Sequence, residues 1–260
     1  MGSAAIQGEL WSKAPHDWTH LQEPLHKPLW EAMLDAAQVG QYTSFLDAGC
    51  GGGGASILAF ERGAIVSGLD AAEPLVRMAS ERVPGGDFRT GDIEQLPFRD
   101  ASFDVVFAAN SVQYAANRVA ALRELKRVCT AGGRIVAGLF STPEKVEYRA
   151  FFKAVRDSLP TPPPGDGPFG LSTPGILEGL MEQAGFRVLG HAEVSCPFYY
   201  EDFDTFWKAN ASAGPLQAAL RSVSEDKLRA NVEYGIMPLQ QSDGTYLFKN
   251  MFRLVTGTVD

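Results

Sequence analysis

Carboxylates set directly after apolar runs, beside a dense cluster of glycines, are the residues in this chain best placed to do chemistry. Asp47 lies in Phe45-Leu46-Asp47-Ala48, immediately ahead of Gly49-Cys50-Gly51-Gly52-Gly53-Gly54. Asp70 closes the run Ile65-Val66-Ser67-Gly68-Leu69, and Asp92 follows Gly91 after the short run from Asp87 to Thr90. A strand that runs into a glycine turn lets a ligand come close to the backbone. The amides that open the next helix then face the crevice. A carboxylate at a strand end offers two acceptor oxygens, which match the two hydroxyls of a vicinal diol. One acid alone would read as a helix cap or turn residue; three acids at three strand ends read as a binding site.

The glycines by themselves admit two cofactors. Gly49, Gly51 and Gly54 satisfy G-x-G-x-x-G, with Asp70 at the distance where a dinucleotide site holds its ribose. Gly49, Gly51 and Gly53 satisfy the shorter G-x-G-x-G equally well. Downstream residues separate the two.

The elements that must position these acids alternate. Strands are expected at Phe45 to Ala48, Ile65 to Asp70, Asp87 to Thr90, Phe103 to Ala109 and Arg134 to Phe140. Helices are expected at Ala55 to Arg62, after Pro74, and over Asn117 to Thr130, where Val119, Leu122, Leu125 and Val128 recur at helical spacing. Such alternation implies right-handed crossovers and a doubly wound parallel sheet. Ahead of it, Pro15 to His26 and Pro28 to Gln38 read as helices, with Gly40 as C-cap. Behind it come a helix from Glu144 to Leu159, a Pro/Gly-rich loop from Pro160 to Gly170, and a helix from Pro174 to Ala184. Two late strands, Val188 to Cys196 and Tyr246 to Thr256, suggest an antiparallel edge pair, with two or three helices inserted between them.

Three features favour one cofactor. They are Asp47 two residues before Gly49, the segment Gly91-Asp92-Ile93-Glu94-Gln95-Leu96-Pro97-Phe98 followed by Phe103-Asp104-Val105-Val106, and Leu122 to Val128 leading into Gly132-Gly133-Arg134. In this order and spacing the chain resembles the class I S-adenosylmethionine (SAM) methyltransferases, in particular the bacterial ubiquinone/menaquinone-type small-molecule enzymes. The resemblance covers Thr43 to Leu139 well and Pro174 to Phe186 more loosely.

It implies an α/β fold: a Rossmann-like, doubly wound sheet of seven strands, mostly parallel with an antiparallel edge pair, plus N-terminal helices and a helical cap. Residues 1–40 would be a helical lid. Residues 41–260 would be the SAM-binding domain, with cap insertions near 141–172 and 199–240. The implied SAM residues are Asp47, Gly49, Cys50, Gly51, Gly53, Asp70, Ala71, Asp92, Ile93 and Asn110. Asp47 would serve the cationic amino group, Asp70 the ribose, Asp92 and Ile93 the adenine, and Asn110 the methionine end.

The expected activity is methyl transfer to a small apolar or aromatic acceptor by in-line displacement, carried mainly by proximity and orientation. Walls of the acceptor site are expected from His16, Trp18, Gln113, Tyr114, Tyr199 and Trp207, with Trp11, His20, Phe140, Tyr200 and Phe203 as further candidates. No residue is assigned as a catalytic base, although His16 and His20 are the histidines placed to be tested as one. The alternatives are an NAD(P)-dependent oxidoreductase, which would carry a second domain or a Tyr-x-x-x-Lys pair, and a SAM-binding protein without transfer activity.

Composition narrows the partners. A net charge of -8 and the absence of a basic run argue against nucleic acid. No apolar run is long enough to span a bilayer. Cys50, Cys129 and Cys196 are widely spaced and without C-x-x-C pairing, which suits a reduced, cytoplasmic chain. His16-Asp17-Trp18-Thr19-His20 resembles a zinc signature but lacks its Glu and a third ligand, so no metal is expected.

Overall fold

The computed structural model describes residues 2–162 and 167–260. A sheet in the order β3-β2-β1-β4-β5-β9-β6 forms its centre. The strands are β1 (Ser44–Ala48), β2 (Ile65–Asp70), β3 (Asp87–Thr90), β4 (Phe103–Ala109), β5 (Cys129–Phe140), β6 (Arg187–Ser195) and β9 (Met251–Thr258). β1 pairs in parallel with β2 and β4, β2 with β3, and β4 with β5. β9 runs antiparallel between β5 and β6. This is the expected seven-stranded sheet with its antiparallel edge.

The sheet is buried on both faces because its central strands are apolar without alternation. Neighbouring residues in β1 show it. Phe45 joins a core with Leu29, Met33, Leu34 and Ala59, whereas Leu46 joins Leu122, Leu125, Leu177 and Met181 on the other side. The first face is covered by α3 (Lys27–Ala36) and α4 (Gly54–Glu61), and the second by α6 (Arg118–Val128) and α8 (Ile176–Ala184). α5 (Glu73–Arg82) connects β2 to β3. The strand order reverses between β1 and β4, and a crevice opens at their carboxyl ends.

Around this crevice the chain adds helices. The N-terminal part comprises α1 (Ala4–Trp11), the single turn α2 (Pro15–Asp17), a π-helical stretch Trp18–Gln22 and a 3-10 turn Glu23–His26. The later part comprises α7 (Arg149–Ser158), α9 (Phe203–Ala211), α10 (Gly214–Ala219) and α11 (Glu225–Ile236), with a small antiparallel pair of β7 (Phe198–Tyr200) and β8 (Tyr246–Phe248).

Several boundaries differ from the sequence reading. Helix α1 lies outside the two N-terminal helices expected. The Pro15–His26 helix exists as consecutive α, π and 3-10 turns. Helix α3 is closed by Gln38, not Gly40: Gln38 takes φ 57° while the Val39 amide donates to the Leu34 carbonyl. The helix expected from Glu144 starts only at Arg149, because Val146 bridges to Asn250. The strand expected over Tyr246 to Thr256 is two strands in two sheets. The break falls at Asn250, whose Oδ1 accepts from the Tyr148 amide and whose carbonyl accepts from the Cys196 amide. β5 starts at Cys129, so Ala131 to Gly133 lie within the strand. The Pro/Gly-rich loop lies partly outside the described residues, at 163–166.

Candidate functional site

The crevice at the β1–β4 switch is the mouth of a cavity roofed by the N-terminal helices and α10. Gly49, Cys50 and Gly51 form its floor beside Asp47. Asp70 and Ala71 at the end of β2, Gly91, Asp92 and Ile93 after β3, and Asn110 and Ser111 after β4 complete this end. Gly49 and Ser111 are in close approach, and Gly49 has φ 89°. A β-carbon on Gly49 would collide with that of Ser111. Only glycine satisfies both conditions.

The glycine loop uses its own amides. Those of Gly49 and Cys50 donate to the Leu69 carbonyl, at 2.7 and 3.0 Å, and that of Gly53 donates to the Cys50 carbonyl at 2.9 Å. The Gly51 amide donates to Asp70 Oδ2 (2.9 Å) and the Gly52 amide to Glu23 Oε1 (2.7 Å). Asp70 Oδ1 also accepts from the Ala72 amide at 2.9 Å. Glu23 is buried and is held by Arg82, which donates to Glu23 Oε2 (2.8 Å) and to the Gly52 carbonyl (2.6 Å). Asp47 Oδ2 accepts from the Ser56 hydroxyl at 2.7 Å.

Three carboxylates therefore surround the loop, Glu23 and Asp47 buried and Asp70 half-buried. Burial pushes the Asp47 carboxyl up to about 7, against the Ser56 hydrogen bond and with the help of the negative charges of Glu23 and Asp70. Burial likewise raises Glu23 and Asp70. A site of this sign favours a cation, and a pyrophosphate would meet carboxylates where it needs free amides. Two polar atoms at the same end, Asn110 Oδ1 and Ser111 Oγ, are buried and without a hydrogen-bond partner. Asn110 also holds φ 53°, a costly conformation for a residue other than glycine, of the kind that collects at ligand sites.

The opposite end of the cavity is aromatic. Trp11, Trp18 and Trp30 face Phe140, Tyr148, Phe151 and Phe152, with Gln113, Tyr114, His26 and Asn210 among the polar members. The Tyr200 hydroxyl donates to Gln22 Oε1 (2.7 Å), and the Tyr148 hydroxyl donates to Asn210 Oδ1.

The structure brings most of the expected residues together. Asp47, Gly49, Cys50, Gly51, Asp70, Ala71, Asp92, Ile93 and Asn110 line the cavity, as do Trp18, Gln113 and Tyr114. Gly53 does not; it packs on Ala79 of α5. Gly51 has φ 53° and points its missing β-carbon at Glu23 Oε1, 2.8 Å away, so its bareness admits the N-terminal helix.

Among the expected acceptor residues, His16, Tyr199 and Trp207 lie outside the lining. His16 is exposed and stacks on His20 at 4.0 Å, because a spacing of four places both on the solvent side of the helix. Tyr199 is exposed because alternation in β7 turns it away from buried Phe198 and Tyr200. Trp207 is buried in the cap, where Nε1 donates to Glu225 at 3.2 Å. His20, Tyr200 and Phe203 also lie outside, while Trp11 and Phe140 are part of the wall. Missing from the expectation were Gln22, Glu23, His26, Ser111, Tyr148 and Asn210. A signal was present for two: Trp18, Gln22, His26 and Trp30 recur every four residues and share a helix face.

Residues 46–137 match the model of a family described as the methyltransferase domain. Over these residues the chain is similar to a class I methyltransferase domain. The chain is 35% identical over 136 residues to a malonyl-[acyl-carrier protein] O-methyltransferase of Erwinia pyrifoliae, covering 52% of each protein. It is 33% identical over 135 residues to a demethylmenaquinone methyltransferase of Beutenbergia cavernae, covering 52% of this chain and 56% of the other. The chain spans about half the length of these curated relatives. The YcgJ protein of Bacillus subtilis has the same fold, with a TM-score of 0.61 over 88% of this chain and 97% of the other at 20% identity. The methyl donor of this family is SAM, whose sulfonium and ammonium are cations. The acidic glycine-loop end suits that charge.

Proposed function

We propose that the protein transfers a methyl group from SAM to a small-molecule acceptor. The observation that carries this reading is the consumption of the loop amides by Asp70 and Glu23, which leaves an acidic floor suited to a cation and hostile to a pyrophosphate. That observation also disfavours the oxidoreductase alternative. Asp70 holds the ribose through the lone pairs its amide bonds leave free. Asp92 and Ile93 take the adenine. Asp47, ionised once a cation neutralises its surroundings, attracts the ammonium group, and Asn110 and Ser111 bind the methionine end.

When bound, SAM supplies a methyl already activated by the positive sulfur. The chain's own work is then alignment. The aromatic end holds the acceptor in line and excludes water, and a dedicated base is needed only for an acceptor of high pKa. Residues 1–40 act as the lid, and the segments near 141–172 and 199–240 as the cap. Supporting a closed lid, α1 rests on the Ala71 backbone at Gly8, where a β-carbon would collide with the Ala71 carbonyl oxygen. Arg221 after α10 also holds Glu9 of α1 at 2.7 Å. Among the described residues no helix is long and apolar enough to cross a membrane. With three free cysteines, this supports work in the cytoplasm.

Thermal unfolding with SAM, S-adenosylhomocysteine, NAD and NADP in turn tests the reading. A ligand at a hundred times its dissociation constant adds about 2.7 kcal/mol to the folded state. That raises the midpoint by about 5–10 °C for a chain of this size. The expected result is a shift with SAM and S-adenosylhomocysteine alone. A shift confined to the nucleotides would overturn it. Release of S-adenosylhomocysteine on turnover separates transfer from mere binding.

A further inference from the structure

Besides Gln113, Tyr114 and the unpartnered Nε1–H donor of Trp18, the aromatic end of the cavity holds a ring nitrogen that can only accept, on a residue outside the donor site and the Tyr148–Asn210 and Tyr200–Gln22 pairs. His26 ends the 3-10 turn and lines the cavity while being 7% exposed. Its Nδ1 lies 3.3 Å from the Glu23 carbonyl oxygen. A carbonyl can only accept, so Nδ1 carries the proton and the Nε2 lone pair is free. The ring is fixed between Trp30, stacked at 5.9 Å, and Phe198, edge-on at 5.0 Å. Burial lowers its pKa to about 4, which keeps Nε2 an acceptor throughout the neutral range.

Charge defines the rest. The acids lining the cavity are Glu23, Asp47, Asp70 and Asp92, and among the described residues no lysine or arginine lines it. The nearby cation, Arg82, is committed to Glu23 and the Gly52 carbonyl. A carboxylate or phosphate on the acceptor would be buried with no protein counter-charge to offset its lost hydration.

We propose that the methyl acceptor is an uncharged hydroxy-aromatic compound whose O–H donates to His26 Nε2, and that His26 is the residue which selects and aims it. This rests on the methyl-transfer reading above. In the reaction the acceptor oxygen forms the O–CH3 bond as the S–CH3 bond breaks. The bonding pair stays on sulfur, which becomes a neutral thioether. The hydroxyl proton passes along the hydrogen bond to Nε2 and is given up to solvent once the product leaves and the cavity opens, so the sulfonium charge leaves as that proton.

The test is binding of three matched probes, 2-naphthol, 2-naphthoate and 2-methylnaphthalene, to the protein saturated with S-adenosylhomocysteine, read by tryptophan fluorescence. The expected result is 2-naphthol binding at least about tenfold more tightly than either of the others. In His26→Phe, which keeps the ring packing, the preference for 2-naphthol over 2-methylnaphthalene falls to within about twofold while S-adenosylhomocysteine affinity is kept. Should that variant fail to fold, 15N resonances of the wild-type imidazoles serve instead, and 2-naphthol must shift the Nε2 signal of His26. Equal or tighter binding of 2-naphthoate, no binding of 2-naphthol, an unaltered preference in His26→Phe, or a static Nε2 signal each overturns the proposal. Failure of S-adenosylhomocysteine to bind the wild type brings down the methyl-transfer reading itself, and the proposal with it.

Discussion

The two ends of the cavity are built by different means. At the glycine-loop end, groups from the ends of β1, β2 and β4 are fixed by backbone: two carbonyls and two carboxylates hold the loop amides, and Gly49 meets Ser111 with no room for a side chain. At the aromatic end, side chains from the N-terminal turns, α7 and α10 meet by packing, with Phe140 and Phe252 at 4.3 Å and Tyr148 and Phe198 at 5.1 Å. A backbone-built site has few tolerated variants, whereas a packed aromatic wall can exchange one ring for another. The first end suits a fixed cofactor and the second an acceptor that differs between relatives.

The sharpest way to break this contrast is at Gly49. Gly49→Val adds a branched side chain at φ 89° against Ser111, combining strain with overpacking. The loop must shift, at about 2 kcal/mol or more. SAM affinity, measured by titration calorimetry, should fall beyond about 100-fold, with a lower unfolding midpoint. Normal affinity would show that the loop is not built as rigidly as its hydrogen bonds imply.

Asp47→Asn comes next, and its effect has a sign. Asp47 takes a proton more readily in the folded chain (pKa about 7) than in the unfolded one (3.8), so its contribution to stability is complete below about pH 4. The contribution is lost as pH rises through about 7, by up to about 4 kcal/mol. Without ligand, the variant should therefore be more stable than the wild type at pH 8 and should show a flatter fall between pH 4 and 7, measured by urea unfolding. With SAM the order reverses. Wild-type affinity should rise as pH increases through 7 and Asp47 ionises, whereas the variant should bind weakly and without that slope. A variant with no gain at pH 8 would mean that Asp47 is not held against ionisation by the fold.

The same contrast explains what could be read in advance. The sheet was legible because alternating apolar runs and glycine turns are local, and Asp47, Asp70 and Asp92 sit at strand ends that those patterns define. The aromatic end was not, because its members are brought together by tertiary packing. Nothing near Tyr148 or Asn210 in sequence says that they meet, and Trp207 and Phe203, candidates for the acceptor wall, lie in the core of the cap. Glu23 was missed for another reason. Its partner amide, on Gly52, is 29 residues away, and a lone Glu on a helix reads as solvent-exposed until its tertiary partners are known.

The smallest expected effect tests the outer limit of the aromatic end. His16 and His20 are the histidines to be tested as a base, yet both are exposed and stacked on one another, with His20 Nδ1 2.8 Å from the His16 carbonyl. A stacked pair on the solvent side contributes little, and surface changes of this kind stay within about 0.5 kcal/mol. His16→Ala should leave the unfolding midpoint, SAM affinity and kcat/KM within about twofold of wild type. A fall of tenfold or more in kcat with SAM affinity intact would mean that the N-terminal turns swing His16 inward when the acceptor binds. The cavity wall would then extend past Trp18 to the solvent face of the same helix, and the lid would be a moving part of the acceptor site.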